Sequence, residues 1–222
     1  MLRFYSLFFI AVMSTKVYAG IEIGGSRVIF DEKNGQAAIS INNPDLNPYL
    51  VQSWISKNIS GDDDDNTFIV TPPLFRLESK TQNSVRVIYT GKPLPADRES
   101  MFWLSIKSIP STSKQASNQL LITVKTVMKF FYRPAGLKND PLTAYRKLIF
   151  KYKNGNVEIT NPTPFNISFY EIKVGKSEIK APQVLAPYST YEIPCSLSED
   201  RTISWKVIND FGGTTDMMRV KV

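Results

Sequence analysis

Histidine is absent from this 222-residue chain, and cysteine occurs once, at Cys195. Without histidine the chain lacks Ser-His-Asp and Cys-His catalytic groups as well as the usual zinc sites. A single cysteine cannot form an internal disulfide, so packing has to stabilise the fold. These absences predict a protein that is not an enzyme and that carries no metal and no cofactor.

Long apolar runs are also missing after residue 19, since none approaches the roughly 18 residues that a membrane-spanning helix needs. Within residues 1–19, Arg3 precedes a short apolar run through Val12, and small residues precede position 20. This pattern is typical of a cleaved signal peptide. We therefore expect an exported mature chain that begins near Gly20, without stable membrane insertion.

The chain is basic, with 27 Lys+Arg against 20 Asp+Glu and a formal net charge of +7. The basic residues are dispersed and form no nucleic-acid-binding module, which speaks against nucleic acid and favours acidic partners. The acidic cluster at residues 62–65 does not fit a calcium-binding EF-hand loop. Thr67 stands where that loop requires glycine, and Pro73 where it requires glutamate. We expect a solvated loop there.

Short segments of alternating polar and apolar residues recur along the chain, which predicts an all-β fold. In residues 36–42, Ile39 and Ile41 fall on one face, and in residues 154–155 an Asn-Gly pair predicts a two-residue hairpin. Strands at this spacing are typical of β-sandwiches. Proline and glycine cluster between residues 133 and 141, so we expect two domains, 20–138 and 139–222, after a signal peptide at 1–19.

Seven motifs occur in the order and spacing of the PapD-like periplasmic pilus chaperones, which the chain resembles over essentially its whole mature length. They are SRVIF (26–30), NPYLVQSWI (47–55), TPPLFRLE (71–78), DRESMFWLSIKSIP (97–110), KFFYRP (129–134), ITNPTP (159–164) and INDFGG (208–213). The resemblance implies two immunoglobulin-like β-sandwich domains arranged as a boomerang with an interdomain cleft. It also implies a periplasmic chaperone that completes pilus subunits by donor-strand complementation, prevents their aggregation and delivers them to an outer-membrane usher.

The resemblance implies that the chaperone inserts one of its own edge strands into the fold of the subunit. Here that strand corresponds to residues 118–129. The zipper residues, which share period-two spacing, are Leu120, Ile122 and Val124. The resemblance assigns Arg27 and Lys129 to the subunit's C-terminal carboxylate, a recognition mode that charge-assisted hydrogen bonds would support. Parity places Lys129 on the opposite face of a flat strand from the zipper residues. We therefore expect the cation pair to face the cleft and the zipper to face the subunit.

Three further charges match a family ion network that joins the domains: Glu99, Arg133 and Asp210. Such a network would fix the cleft angle, and separate surface pairs are the alternative. The short polar connection at residues 109–118 resembles the short-loop branch of the family. One departure is Cys195, because family members often carry a disulfide in the second domain.

Two other classes of function stay open at this stage. A secreted two-domain adhesin or fimbria-associated binding protein would need a ligand pocket and its own donor or acceptor strand. A carboxylate-dependent hydrolase would need two acids about 5–9.5 Å apart in a cleft. An exposed apolar edge strand also favours self-capping as a homodimer.

Overall fold

The computed structural model describes residues 20–61, 63, 66–111, 120–179, 184–194 and 202–222. The expected signal peptide, most of the 62–65 cluster, most of the 109–118 connection and Cys195 lie outside these residues. Within the described part of the chain, no helix has the length and apolar character to cross a membrane. The same residues contain no cluster of side chains suited to holding a metal ion.

The described residues from 20 to 133 form two facing sheets with a shared core. Their strands are β1 (Glu22–Ile23), β2 (Arg27–Asp31), β3 (Gln36–Asn42), β4 (Tyr49–Ser56), β5 (Phe68–Thr71), β6 (Leu74–Leu77), β7 (Gln82–Tyr89), β8 (Ser100–Pro110) and β9 (Val124–Arg133), with a 3₁₀ helix at Glu32–Asn34. One sheet has the order β1-β3-β7-β5 and the other β2-β9-β8-β4-β6. In the second sheet β2 runs parallel to β9, whereas β9 and β8 are antiparallel.

Alternating side chains build the core between these sheets. In β3, Ile39 and Ile41 are buried while their neighbours are more exposed, so the predicted alternation is confirmed. Aromatic rings fill the centre, where Phe68 meets Phe130 edge-on with 4.8 Å between centroids. The core needs no disulfide because each sheet contributes a continuous apolar face.

The segment TFIVTPPLFRLE (67–78) is divided between two strands. Residues 68–77 form β5 and β6, which belong to different sheets. Pro72 and Pro73 lie between them and cannot donate backbone hydrogen bonds to a sheet. The two prolines therefore end one strand and let the chain cross to the other sheet.

A second pair of sheets follows, with its own core. Its strands are β10 (Ile149–Lys153), β11 (Asn156–Thr160), β12 (Phe169–Val174), β13 (Ser177–Glu178), β14 (Thr190–Pro194), β15 (Thr202–Val207) and β16 (Met218–Lys221), after a 3₁₀ helix at Pro141–Lys147. The sheet orders are β10-β11-β14 and β13-β12-β15-β16. Asn154 and Gly155 both have positive φ and join β10 to β11, so the predicted hairpin is confirmed.

Trp205 anchors this second core, packing 4.4 Å from the Phe150 ring and donating its indole N–H to the carbonyl of Tyr145 at 3.1 Å. We call the two sandwiches the first unit and the second unit. Tyr145 lies in the 3₁₀ helix, so this bond connects the start of the second unit to its centre. The predicted all-β fold with two domains is confirmed. Leu137 already packs against the second core, and the boundary after residue 138 stays a prediction.

Candidate functional site

Strand β9 separates two environments by the parity of its residues. Met128, Phe130 and Tyr132 belong to the first core. Phe131 and Arg133 lie on the other face and line a cleft that also includes residues of the second unit. Lys129 shares their parity and therefore lies on the face that points away from this core.

The β2 side of β9 is only partly occupied. Strand β2 pairs with β9 from Arg27 opposite Lys129 to Asp31 opposite Arg133. Residues 124–128 pair with β8 on one side, and no described strand pairs with their other side. We call this unpaired backbone of residues 124–128 the open edge.

The open edge exists because the chain changes sheets just before β2. Strand β1 pairs with β3 of the other sheet, and Gly24 donates its backbone N–H to Ser40 at 2.9 Å. A Cβ atom at Gly24 would come 2.1 Å from the Ser40 hydroxyl, so a larger residue at this crossing would have to displace the Ser40 side chain. The chain therefore reaches β9 at Lys129 and leaves the preceding residues uncovered.

Arg27 and Lys129 are direct neighbours at the end of the open edge, and both are half-buried. Burial lowers the pKa of Lys129, and the positive charge of Arg27 lowers it further. Burial also lowers the pKa of Arg27, against the opposing effect of Asp210 and Glu99. Two adjacent positive charges of this kind favour the binding of an anion between them.

Arg27 also joins the two units. Its Nη1 donates to the carbonyl oxygen of Ile208 at 3.1 Å, and its guanidinium lies 5.8 Å from the centroid of the Phe131 ring. Its Nε is buried and has no hydrogen-bond partner among the described residues. Arg27 therefore has one buried nitrogen without a hydrogen-bond partner at the border of the cleft.

The structure brings Glu99, Arg133 and Asp210 together between the two units. Arg133 donates through Nε to Glu99 at 2.8 Å, and through Nη1 and Nη2 to Asp210 at 2.8 and 3.1 Å. The Arg133 and Glu99 side chains are only 14% and 2% exposed. The three charges form one largely buried network rather than separate surface pairs.

Glu99 extends this network into the second unit. Its carboxylate accepts hydrogen bonds from the backbone and side-chain nitrogens of Asn166 at 2.8 and 3.2 Å. Burial raises the pKa of Glu99 despite its bonds to Arg133 and Asn166. Burial alone would lower the pKa of Arg133, but its bonds to Asp210 and Glu99 raise it. Asn166 carried no sequence signal that marked it for this role.

The predicted zipper residues are exposed, and only one lies in a strand. Leu120, Ile122 and Val124 are 86%, 66% and 52% exposed. Strand β9 begins at Val124, which corrects the expected strand 118–129: residues 120–123 are not in a strand, and 118–119 lie outside the description. Extending the register would place Ile122 opposite Pro110, which has no backbone N–H to continue the ladder.

Lys125 fastens the start of β9 to the loop at residues 60–61 and to Trp54. Its Nζ donates to the carbonyl of Ser60 at 2.6 Å and lies 5.2 Å from the Trp54 ring centroid. Trp54 in turn donates to the carbonyl of Gly61 at 3.2 Å. Sequence reasoning missed this contact because nothing in the chain links residue 125 to the loop at 60–61.

Two family models match the chain. The model for the N-terminal domain of PapD, a pili and flagellar-assembly chaperone, matches residues 20–138. The model for the C-terminal domain of the pili assembly chaperone PapD matches residues 143–218. Together they span both sandwiches and the cleft between them.

Curated relatives agree with these models. Chaperone protein LpfB of Salmonella typhimurium is 34% identical over 220 residues, covering 96% of this chain and 94% of LpfB. The probable fimbrial chaperone SfmC of Escherichia coli is 35% identical over 222 residues, covering 97% and 95%. These alignments run through both units, so they compare the whole architecture.

Solved structures give the same likeness in three dimensions. A chain from the Salmonella enterica SafA pilin–SafB chaperone complex has a TM-score of 0.80 at 30% identity, covering 94% of this chain and 99% of that chain. The periplasmic chaperone SfaE has a TM-score of 0.75 at 33% identity, covering 91% and 100%. The similarity therefore includes the relative placement of elements along nearly the whole chain.

Proposed function

The chain belongs to the PapD family of pili and flagellar-assembly chaperones, and we propose that it captures a pilus subunit along the open edge of β9. It is a fimbrial assembly chaperone. In our proposal Arg27 and Lys129 bind the C-terminal carboxylate of the subunit, and Leu120, Ile122 and Val124 enter an apolar groove on it. The observation that carries this proposal is the position of a half-buried cation pair at the end of an unpaired strand edge.

The direction of the bound strand follows from that position. The subunit's last residue would lie at Lys129, and the residues before it would run back toward Val124. The subunit strand would therefore run parallel to β9, as β2 does farther along the same edge. From Val124 to Lys129 this edge is roughly 17 Å long, at about 3.3 Å per residue.

The cation pair Arg27 and Lys129, which we call the anchor, and the zipper residues have separate roles. Burying an aliphatic side chain contributes about 1.5–3 kcal/mol, and each added backbone hydrogen bond a net of about 0.5–1.5 kcal/mol. Association costs about 4–15 kcal/mol, so most of the strand has to engage. The carboxylate relieves the repulsion between Arg27 and Lys129 and fixes the register of that engagement.

Residues 120–123 would join the strand only in the complex. Their present lack of strand pairing fits this role, because a subunit edge would supply the backbone partners that β8 does not. Leu120 and Ile122 would then extend the period-two row that begins at Val124. The free chain has an exposed apolar edge, which also supports self-capping as a homodimer.

We place the chain in the periplasm, with residues 1–19 as the signal peptide that exports it. SfaE is itself named a periplasmic chaperone, and donor-strand capture needs a compartment in which unassembled subunits are present. Delivery of the captured subunit to an outer-membrane usher completes the proposed pathway.

Co-purification of a candidate pilin tests the proposal with a matched pair of variants. Ile122→Asp should abolish pilin recovery, because it places an unpaired carboxylate in an apolar groove. Leu121→Asp adds the same charge one residue away, on the opposite face, and should retain recovery. Because Ile122 is 66% exposed, Ile122→Asp should leave the melting temperature nearly unchanged. Unfolding of Ile122→Asp, or equal recovery with both variants, would contradict the zipper assignment.

A further inference from the structure

Phe211 is exposed to a degree that the fold does not explain. Its side chain is 86% exposed, the same as Leu120, and these are the two most exposed large apolar side chains of the described residues. Leu120 lies beyond one end of the open edge, where the zipper is proposed. Phe211 belongs to the loop that follows β15, which meets the first unit at the other end of the open edge.

The backbone of this loop is held in one conformation by Asn209. The side-chain oxygen of Asn209 accepts the backbone N–H groups of Phe211 and Gly213, both at 3.0 Å. Its backbone N–H donates to the carbonyl of Gly213 at 2.8 Å, and its carbonyl accepts from Gly212 at 3.0 Å. Gly212 has φ +84°, a conformation that favours glycine. The loop therefore presents Phe211 from a fixed backbone.

The same loop is fastened to the first unit on both sides of Phe211. Before it, Ile208 accepts a hydrogen bond from Arg27, and Asp210 binds Arg133 through both oxygens. After it, the backbone of Gly212 lies against Ser26, since a Cβ atom there would come 2.7 Å from the Ser26 hydroxyl. Phe211 therefore lies in a loop that contacts Ser26 and Arg27, the latter being the residue proposed to bind the subunit's carboxylate.

We propose that Phe211 is a further subunit contact, which packs on an apolar side chain among the last residues of the captured pilus subunit. This inference rests on the proposed function, because the anchor brings the subunit's C-terminus to Arg27. A subunit strand that ends at Arg27 and Lys129 places its final residues next to the loop at 208–213. Phe211 then adds apolar contact at the anchor end, as Leu120 does at the other end.

The test measures binding of a peptide to the full chain by fluorescence anisotropy. The probe is a synthetic peptide of about ten residues, the length of the 120–129 segment, from the C-terminus of a pilin that co-purifies with the wild-type chain. Phe211→Ser should raise the Kd about tenfold, and Phe211→Leu should restore most of the affinity. The control Ile69→Ser removes a side chain that is 55% exposed in the other sheet, and it should leave the Kd unchanged.

A second peptide, with serine at each apolar position of its last three residues, completes a double-mutant cycle. It should bind the wild-type chain and Phe211→Ser equally. If Phe211→Ser binds the first peptide like the wild type while Lys129→Ala loses it, the inference is wrong and the anchor stands. If Lys129→Ala also binds like the wild type, or the wild-type chain binds neither peptide, the proposed function fails and the inference fails with it. If the wild-type chain is a dimer by mass and Phe211→Ser is a monomer with unchanged peptide affinity, Phe211 serves self-association and the inference is overturned.

Discussion

Lys129 lies directly opposite Arg27 where the parallel strands β2 and β9 begin to pair. The open edge ends at this point, and the cleft between the two units begins. The pair supplies two half-buried positive charges. It lies where the unpaired backbone edge ends, and the loop at 208–213 contacts Arg27. A subunit that ended at this position would contact all three.

We predict that Lys129→Ala abolishes pilin capture and leaves the chain folded, because it removes the anchor without opening the core. Arg27→Ala should abolish capture too and also lower the melting temperature, since it removes the hydrogen bond to Ile208. Circular dichroism and pilin pull-down measure the two effects on the same preparations. Normal pilin recovery by folded Lys129→Ala would refute the anchor assignment.

The charge of Lys129 should destabilise the free chain. The pKa of Lys129 is lowered from 10.5 by burial and by Arg27, so the folded state disfavours its charged form. That unfavourable contribution is fully present below the lowered pKa and is relieved as the pH rises through it toward 10.5. Lys129→Met should therefore melt at a higher temperature than the wild type near pH 7, and the difference should shrink as the pH rises.

Lys151→Met provides the control for this pH series, because Lys151 is exposed on β10. It should melt like the wild type at each pH. A Lys129→Met variant that melts below the wild type near pH 7 would mean that Lys129 stabilises the free fold.

The ion network predicts a stability effect that is separate from capture. Asp210→Asn should lower the free energy of unfolding by about 1.5–3 kcal/mol, because Arg133 loses a charged acceptor in a largely buried place. Lys129→Ala should cost less, and so should Asp216→Asn, which neutralises an exposed carboxylate. Chemical denaturation compares the three variants. An Asp210→Asn variant as stable as the wild type would show that Arg133 keeps its place through Glu99 alone.

Much of the β architecture could be predicted from the sequence because local rules determine it. The segment 100–110 forms β8 over its full length, and Asn154-Gly155 forms the expected turn. Period-two spacing also places Lys129 on the opposite strand face from Val124. These features depend on period-two spacing and turn chemistry, which neighbouring residues alone decide.

Other features depend on contacts between distant residues and could not be predicted that way. Where β9 begins depends on how far β8 can pair with it, and the open edge depends on the sheet crossing at Gly24. Asn166 and Lys125 bind partners that lie 67 and 65 residues away along the chain. Strand β16 was also not anticipated. The roles of Arg27, Glu99 and Asp210 came from a family resemblance, because periodicity does not distinguish them from other charged residues.

In the proposed complex the subunit adds a strand to the open edge of β9. Hydrogen exchange of backbone amides, followed by mass spectrometry of the chain with and without bound pilin, tests it most directly. The amides of residues 120–123, and those of residues 124–128 that point away from β8, should exchange quickly in the free chain and become protected in the complex, whereas residues 130–132, already paired with β2 and β8, should change little. Protection that appears instead on β5 or β6, which are edge strands of the first unit, with residues 120–128 unchanged, would contradict this pairing.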